Sequence, residues 1–169
     1  IEKVFFNLLS NAFKFTPSEG QVTIRVNTVT QAECELLPHF PAQYSSILIE
    51  AGYLFIEVID TGKGFSEQEA EKIFEPFYRS QEDIHRQISG TGIGLSLTRS
   101  IILQHNGCIW TESSEAEGTR FLFLLPDTEK QEEGQDESPV LSKSAEISKK
   151  FDLLVEETRN KNKQTILLA

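Results

Sequence analysis

Methionine is absent from the 169 residues, tryptophan occurs once and cysteine twice. Cys34 and Cys108 are too few for a disulfide framework or a cysteine metal site, which fits a reducing compartment and leaves both as packing residues. Basic residues are also scarce: 16 Lys and Arg stand against 26 Asp and Glu, a net charge of −10 with a pI near 4.8. A nucleic-acid binder would carry a basic face, so that class is excluded for this stretch. No uninterrupted apolar run approaches the ~20 residues of a bilayer-crossing helix, and no signal-peptide pattern precedes the first segment. The chain opens inside an amphipathic stretch and reads as a portion of something longer. Its 38% hydrophobic content suits one domain with a modest core plus some non-core sequence.

What is present is organised by period. Val4, Phe5, Leu8, Leu9 and Ala12 share one helical face over residues 2–15, and Asn7, Asn11 and Lys14 form a polar stripe off that face. "TPSEG" turns the chain into "QVTIRVNTV" (21–29), which alternates as a half-buried strand does. Residues 30–52 have no clean period and contain Pro38 and Pro41, so they read as a long hairpin loop or insertion. "YLFIEVID" (53–60) is apolar almost throughout except Glu57 and reads as a central strand. Ser66 and Glu69 form a capping box for a short helix, followed by a polar, aperiodic loop over 78–89 expected to be mobile. A helix is expected from Ile93 to about Asn106 with Gly107 as its stop, then a hairpin of "CIWTESSE" and "TRFLFLLP" around "AEG". Residues 127–163 are linker-like, rich in Glu, Gln, Ser and Lys, and "QTILLA" (164–169) reads as the first strand of a following domain cut short, a candidate receiver.

Three stretches carry chemistry. "GTGIGL" (90–95) places glycines on alternate positions just before a helix, where free N–H groups and partial positive charge suit a phosphate. Its spacing is not that of a dinucleotide-binding turn, and Leu95 stands where a Walker loop needs Lys. "DTGKGF" puts Asp60 at the end of the strongest strand beside Gly62 and Gly64, where a carboxylate can accept from an exocyclic amine as backbone approaches a flat ring; taken alone, an Asx turn is the favoured reading. Asn7 and Asn11 cost helix propensity. Their neutral oxygens can ligate a hard cation such as Mg²⁺ without repelling a triphosphate.

In order, "NLLSNAFKFT", "DTGKGF", "IFEPFYR", "GTGIGL" and "GTRFLFLLP" resemble the ATP-binding catalytic domain of sensor histidine kinases, within the Bergerat-fold superfamily, over about residues 2–126. The resemblance implies an α/β, two-layer α+β sandwich: a mixed sheet with helices on one face. It implies ATP and Mg²⁺ as cofactors, with Asn11 as metal ligand, Asn7 supporting the metal or its water, Lys14 facing a phosphate, and Phe15 against the adenine. Asp60 would read the adenine amino group, Gly62 and Gly64 leaving room for the base, and Thr119 would lie near it. Phe74 and Phe77 would anchor a lid from which Arg79 reaches the phosphates. Gly90, Thr91, Gly92, Gly94 and Leu95 would wrap the triphosphate.

The reaction implied is phosphoryl transfer to an imidazole on a separate dimerisation and histidine-acceptor domain. His39, His85 and His105 match no acceptor motif, so this stretch is expected not to autophosphorylate alone. A receiver domain of a response regulator is the implied further partner, on the same chain if the protein is a hybrid sensor, and the location implied is a cytoplasmic domain of a protein anchored in the bacterial inner membrane. The family has a strand before the Asn-bearing helix. Beginning on that helix predicts an open sheet edge prone to non-native dimerisation, and weaker ATP affinity than a complete domain. ATP-driven clamps of the same fold carry a Glu four residues before the metal Asn. Here that position is Asn7, which lacks the basicity to activate water. A non-catalytic nucleotide-binding interaction module and a small anti-sigma-type serine kinase are the other readings the fold permits.

Overall fold

In the computed structural model, residues 1–85, 90–115, 117–127 and 165–168 are described. Helix α1 (Glu2–Phe15) buries Val4, Phe5, Leu8, Leu9, Ala12 and Phe13, the face its period announces. It ends where Thr16, already extended at φ −90 and ψ 130, returns its N–H to the Ala12 carbonyl, because the following Pro17 disfavours a helical residue before it. Strands β1 (Gln21–Thr30), β2 (Gly52–Asp60), β3 (Cys108–Ser114) and β4 (Gly118–Pro126) pair antiparallel. β5 (Thr165–Leu168) joins parallel to β1, so the sheet is mixed, in the order β3-β4-β2-β1-β5.

The pleat sorts side chains between two cores. Val22, Ile24, Ile56, Val58, Ile109, Phe121, Phe123 and Leu125 pack against α1 and against Ile102 of α4 (Gly94–Gln104). On the opposite face Tyr53, Phe55, Cys108, Trp110, Leu122 and Leu124 meet Cys34, Tyr44 and Leu48. β2 and β4 are apolar on successive residues because both of their faces are covered.

Several details differ from expectation. The long helices do lie on one face, but residues 31–51 cover the other with α2 (Gln31–Cys34) and a 3₁₀ turn at Ala42–Ile47. Thr30 and Glu33 form a reciprocal capping box that starts α2. Trp110 Nε1 donates to the Pro38 carbonyl at 3.2 Å, and Phe40 stacks edge-on against the same indole at 5.5 Å. The Ser66–Glu69 capping box is present, yet it opens two 3₁₀ turns, Glu67–Glu69 and Lys72–Phe74, instead of one helix. A short helix, α3 (Gln81–His85), stands within the stretch read as loop.

The stop of α4 is Asn106, with φ 55, whereas Gly107 donates its N–H back to Ile102. Gly107 is needed for space: a Cβ there would sit 2.2 Å from the Leu124 carbonyl oxygen. "TILL" does form a strand, and it pairs with the β1 edge expected to be open. Unpaired N–H and C=O groups on an edge template any extended segment within reach. Of the residues read as linker, 128–163 lie outside the described residues.

Candidate functional site

A cavity of about 800 Å³ opens between the end of α1, the C-terminal end of β2, the 66–81 segment and the start of α4, within the range of small-molecule sites. Sequence-predicted residues that line it are Asn11, Lys14, Phe15, Asp60, Gly64, Arg79, Gly90, Thr91, Gly92, Gly94, Leu95 and Thr119. Residues far apart in the chain are thus brought to one concavity by the β2–β4 pairing, which sets Asp60 opposite Thr119, and by the packing of α1 against α4.

Asp60 is 4% exposed. Its Oδ1 accepts the Gly62 N–H at 2.8 Å. Burial pushes the carboxyl up to about 6, against the opposing pull of the Gly62 and Thr119 backbone N–H groups. A buried acceptor with spare lone pairs at the wall of an open cavity is suited to receiving an N–H donor from a ligand. Phe15 forms a second wall, with Lys14 Nζ 4.7 Å and Lys63 Nζ 5.5 Å from its ring centre. Lys14, Lys63 and Arg79 line this cavity together with Glu69 and Glu115, so the acidic chain supplies cations here on which an anionic ligand can draw.

Two glycines are demanded by the backbone. Gly64 has φ +64, and a Cβ on it would fall 1.9 Å from the Ser114 carbonyl oxygen. Gly92 has φ +72, and a Cβ would meet the Phe77 backbone at 2.7 Å. These contacts close the rim, since Phe77 donates its N–H to the Gly92 carbonyl at 2.9 Å. Ser113 fastens the opposite side: its Oγ accepts from the Phe65 N–H at 2.9 Å and donates to the Gly118 carbonyl at 2.9 Å.

The remaining predicted residues stand elsewhere. Asn7 is outside the lining and ties the two long helices, its Nδ2 donating to the Gly94 carbonyl at 3.2 Å and to Thr98 Oγ1 at 3.3 Å. Gly62 borders a shallow neighbouring recess with Thr61 and Pro17. Phe74 is buried and edge-on to Phe121. Phe77 is exposed instead: its backbone takes φ 66 and the residue is 72% exposed, because the left-handed turn that bonds Gly92 carries the ring away from the core. Reading the sequence missed Lys63, although it lies inside "DTGKGF". It also missed Tyr78, whose hydroxyl donates to Glu69 Oε1 at 3.0 Å; nothing in its spacing signals that contact.

The model of the family described as histidine kinase-, DNA gyrase B- and HSP90-like ATPases matches residues 1–129. The chain belongs to this ATPase family. Within the family it is the ATP-binding domain of the histidine-kinase type, and it is similar to sensor kinases. It is 33% identical over 138 residues to the sensor histidine kinase WalK of Bacillus subtilis, covering 82% of this chain and 20% of that protein. It is 38% identical over 152 residues to the sensor kinase CckA of Brucella abortus, covering 90% of this chain and 15% of that protein. The chain thus spans a fifth or less of these relatives' length. Among solved structures, the mycobacterial sensor histidine kinase MprB superposes with a TM-score of 0.54 at 24% identity, over 73% of this chain and 68% of that one, which bears on the fold. A nucleotide-free form of the catalytic domain of histidine kinase ThkA matches at 0.51 and 30% identity, over 73% and 63% of the two chains. No helix among the described residues is long and apolar enough to cross a membrane.

Proposed function

We propose that this domain holds Mg²⁺-ATP in the cavity and presents the γ-phosphate to a histidine imidazole on a separate acceptor domain of the same protein, from which a response-regulator receiver is charged. The observation that carries the reading is the convergence on one cavity of a buried acceptor, Asp60, with three cations, Lys14, Lys63 and Arg79, and a glycine rim. Asp60 would receive the adenine amino group and Phe15 would lie along the ring. Lys14, Arg79 and the backbone of residues 90–94 would hold the phosphates. The chemistry of such a site is positioning and charge stabilisation, with little covalent work for the protein.

The donor set fits Mg²⁺. Among the described residues no three His, Cys, Asp or Glu side chains converge on a metal position, so a resident carboxylate centre is not built. Asn11 lines the cavity, and Mg²⁺ in phosphate sites needs only one or two protein oxygens, completing its octahedron with water and phosphate oxygens. When bound, the ion would neutralise phosphate charge. Asn11 would hold it, and Asn7, fixed between Gly94 and Thr98, would set the distance between Asn11's helix and the glycine rim. Asn7 also speaks against a hydrolytic clamp. An amide that donates to two oxygens has no basicity with which to activate water. The full-length protein is proposed to be a membrane-anchored sensor with this domain in the cytoplasm.

The test is calorimetric titration of the chain with a non-hydrolysable ATP analogue with and without Mg²⁺, repeated on Asn11→Ala. The expected result is Mg²⁺-dependent binding that the variant largely loses, with no phosphohistidine formed on this chain and negligible phosphate release. Binding indifferent to Mg²⁺, or unaltered in the variant, overturns the metal assignment. Rapid phosphate release overturns the kinase reading in favour of an ATPase.

A further inference from the structure

The segment over residues 31–51 lies on the sheet face opposite α1 and α4, yet its Tyr44 bonds a side chain of α4. Tyr44, in its 3₁₀ turn, is buried, and its hydroxyl donates to the Ile109 carbonyl at 3.1 Å. β3 is the terminal strand of the sheet, so this bond satisfies a carbonyl on an outer edge. The same hydroxyl accepts from Arg99 Nη2 at 3.3 Å. Arg99 belongs to α4, five residues after the Gly94 that lines the cavity.

On its other side the guanidinium grips the segment that bounds the nucleotide site. Nη1 pairs with Glu71 Oε2 at 3.2 Å, and Cζ stands 5.4 Å from the centre of the Phe74 ring. Phe74 is edge-on to Phe121 at 6.4 Å, and both Phe121 and the neighbouring Ile73 line the cavity. One planar fork therefore joins the far-face segment, the edge strand, α4 and the base of the 66–81 wall. A guanidinium can stack and donate from two nitrogens at once, which an ammonium cannot.

We propose that Arg99 is a positioning residue for nucleotide binding, and that through it Tyr44 sets the conformation of the 71–77 wall, so that the 31–51 segment controls how tightly ATP is held. The proposal rests on the nucleotide reading of the cavity. Neither residue lines the site. Their influence runs through the place they give Phe74 and Glu71, and it is felt as the rate at which the wall opens and the nucleotide leaves.

The experiment measures the affinity and dissociation rate of a fluorescent ATP analogue with Mg²⁺, alongside the melting temperature, for wild type, Arg99→Met, Arg99→Lys, Tyr44→Phe and the Arg99→Met/Tyr44→Phe double variant. Arg99→Met is expected to raise the dissociation rate and Kd about fivefold, and Tyr44→Phe, which keeps the ring that packs, about twofold. The double variant should be no worse than Arg99→Met, because the hydroxyl acts through the guanidinium. Arg99→Lys should keep part of the affinity through Glu71. Wild-type dissociation rates in Tyr44→Phe, or strictly additive effects in the double variant, overturn the coupling. Lowered melting with unchanged Kd across the series makes Arg99 a structural residue only. Absence of nucleotide binding by wild type, in contrast, defeats the nucleotide reading and leaves the coupling without an object.

Discussion

Lowering the pH should weaken ATP binding through a single carboxyl, that of Asp60, while it strengthens the fold. The group is 4% exposed and burial raises it to about 6. In the proposed site an adenine amino group would donate to the ionised form, so affinity would scale with the ionised fraction. With a pKa of about 6 that fraction is nearly complete at about pH 8 and about one tenth at about pH 5, a tenfold rise in Kd or ~1.4 kcal/mol. The linkage for folding has the opposite sign. The folded state holds the proton more tightly than the unfolded chain, whose carboxyl titrates near 3.8, so stability is lost as pH rises from about 4 to about 6 and stays low above that. The cost at neutral pH is on the order of 3 kcal/mol. The assay is an equilibrium titration with an ATP analogue at several pH values, paired with thermal melts of the ligand-free chain. Asp60→Asn serves as the control for titration of the nucleotide's own phosphates; it should bind weakly at every pH, with the Asp60 component of both profiles gone. A wild-type Kd with no more pH dependence than the variant's would refute the reasoning.

Gly64→Ala should reduce nucleotide affinity by more than about tenfold and lower the melting temperature. Its methyl group would land 1.9 Å from the Ser114 carbonyl at a backbone angle that side chains rarely adopt; calorimetry and a thermal melt check both effects. Asn7→Ala should cost about 1–2 kcal/mol in denaturant unfolding, since it removes the amide joining α1 to Gly94 and Thr98 and leaves their oxygens to find other donors. An unchanged midpoint would show that the tether carries no load.

The strands and long helices were legible because their signals are local. Alternation along β1 and the four-residue rhythm of α1 each follow from which side of the element meets the core, and that pattern is written in neighbouring residues. Most of the site was legible for a related reason: the glycines and Asp60 stand in short runs whose turn chemistry restricts what they can do. The 31–51 segment was less so. Its capping box at Thr30 and Glu33 fits a recognised pattern, but nothing in its composition says that it folds over Trp110 and Phe55. Asn7 and Asn11 look equivalent on a helical stripe, and only the approach of α4 separates them, drawing one amide into a tether and leaving the other at the cavity.

By itself, then, the amino-acid order determined the elements, the family and the set of residues from which a nucleotide site is made. The tertiary structure decided where each of them stands: that Phe74 is buried while Phe77 faces outward, that Gly107 makes room while Asn106 turns the chain, that β5 takes the β1 edge, and that Arg99 meets the Tyr44 hydroxyl. The physical reason is range. Periodicity and turn preferences act over a few bonds, whereas burial, edge pairing and ion contacts depend on which distant segment arrives alongside, and that is settled only when the whole chain packs.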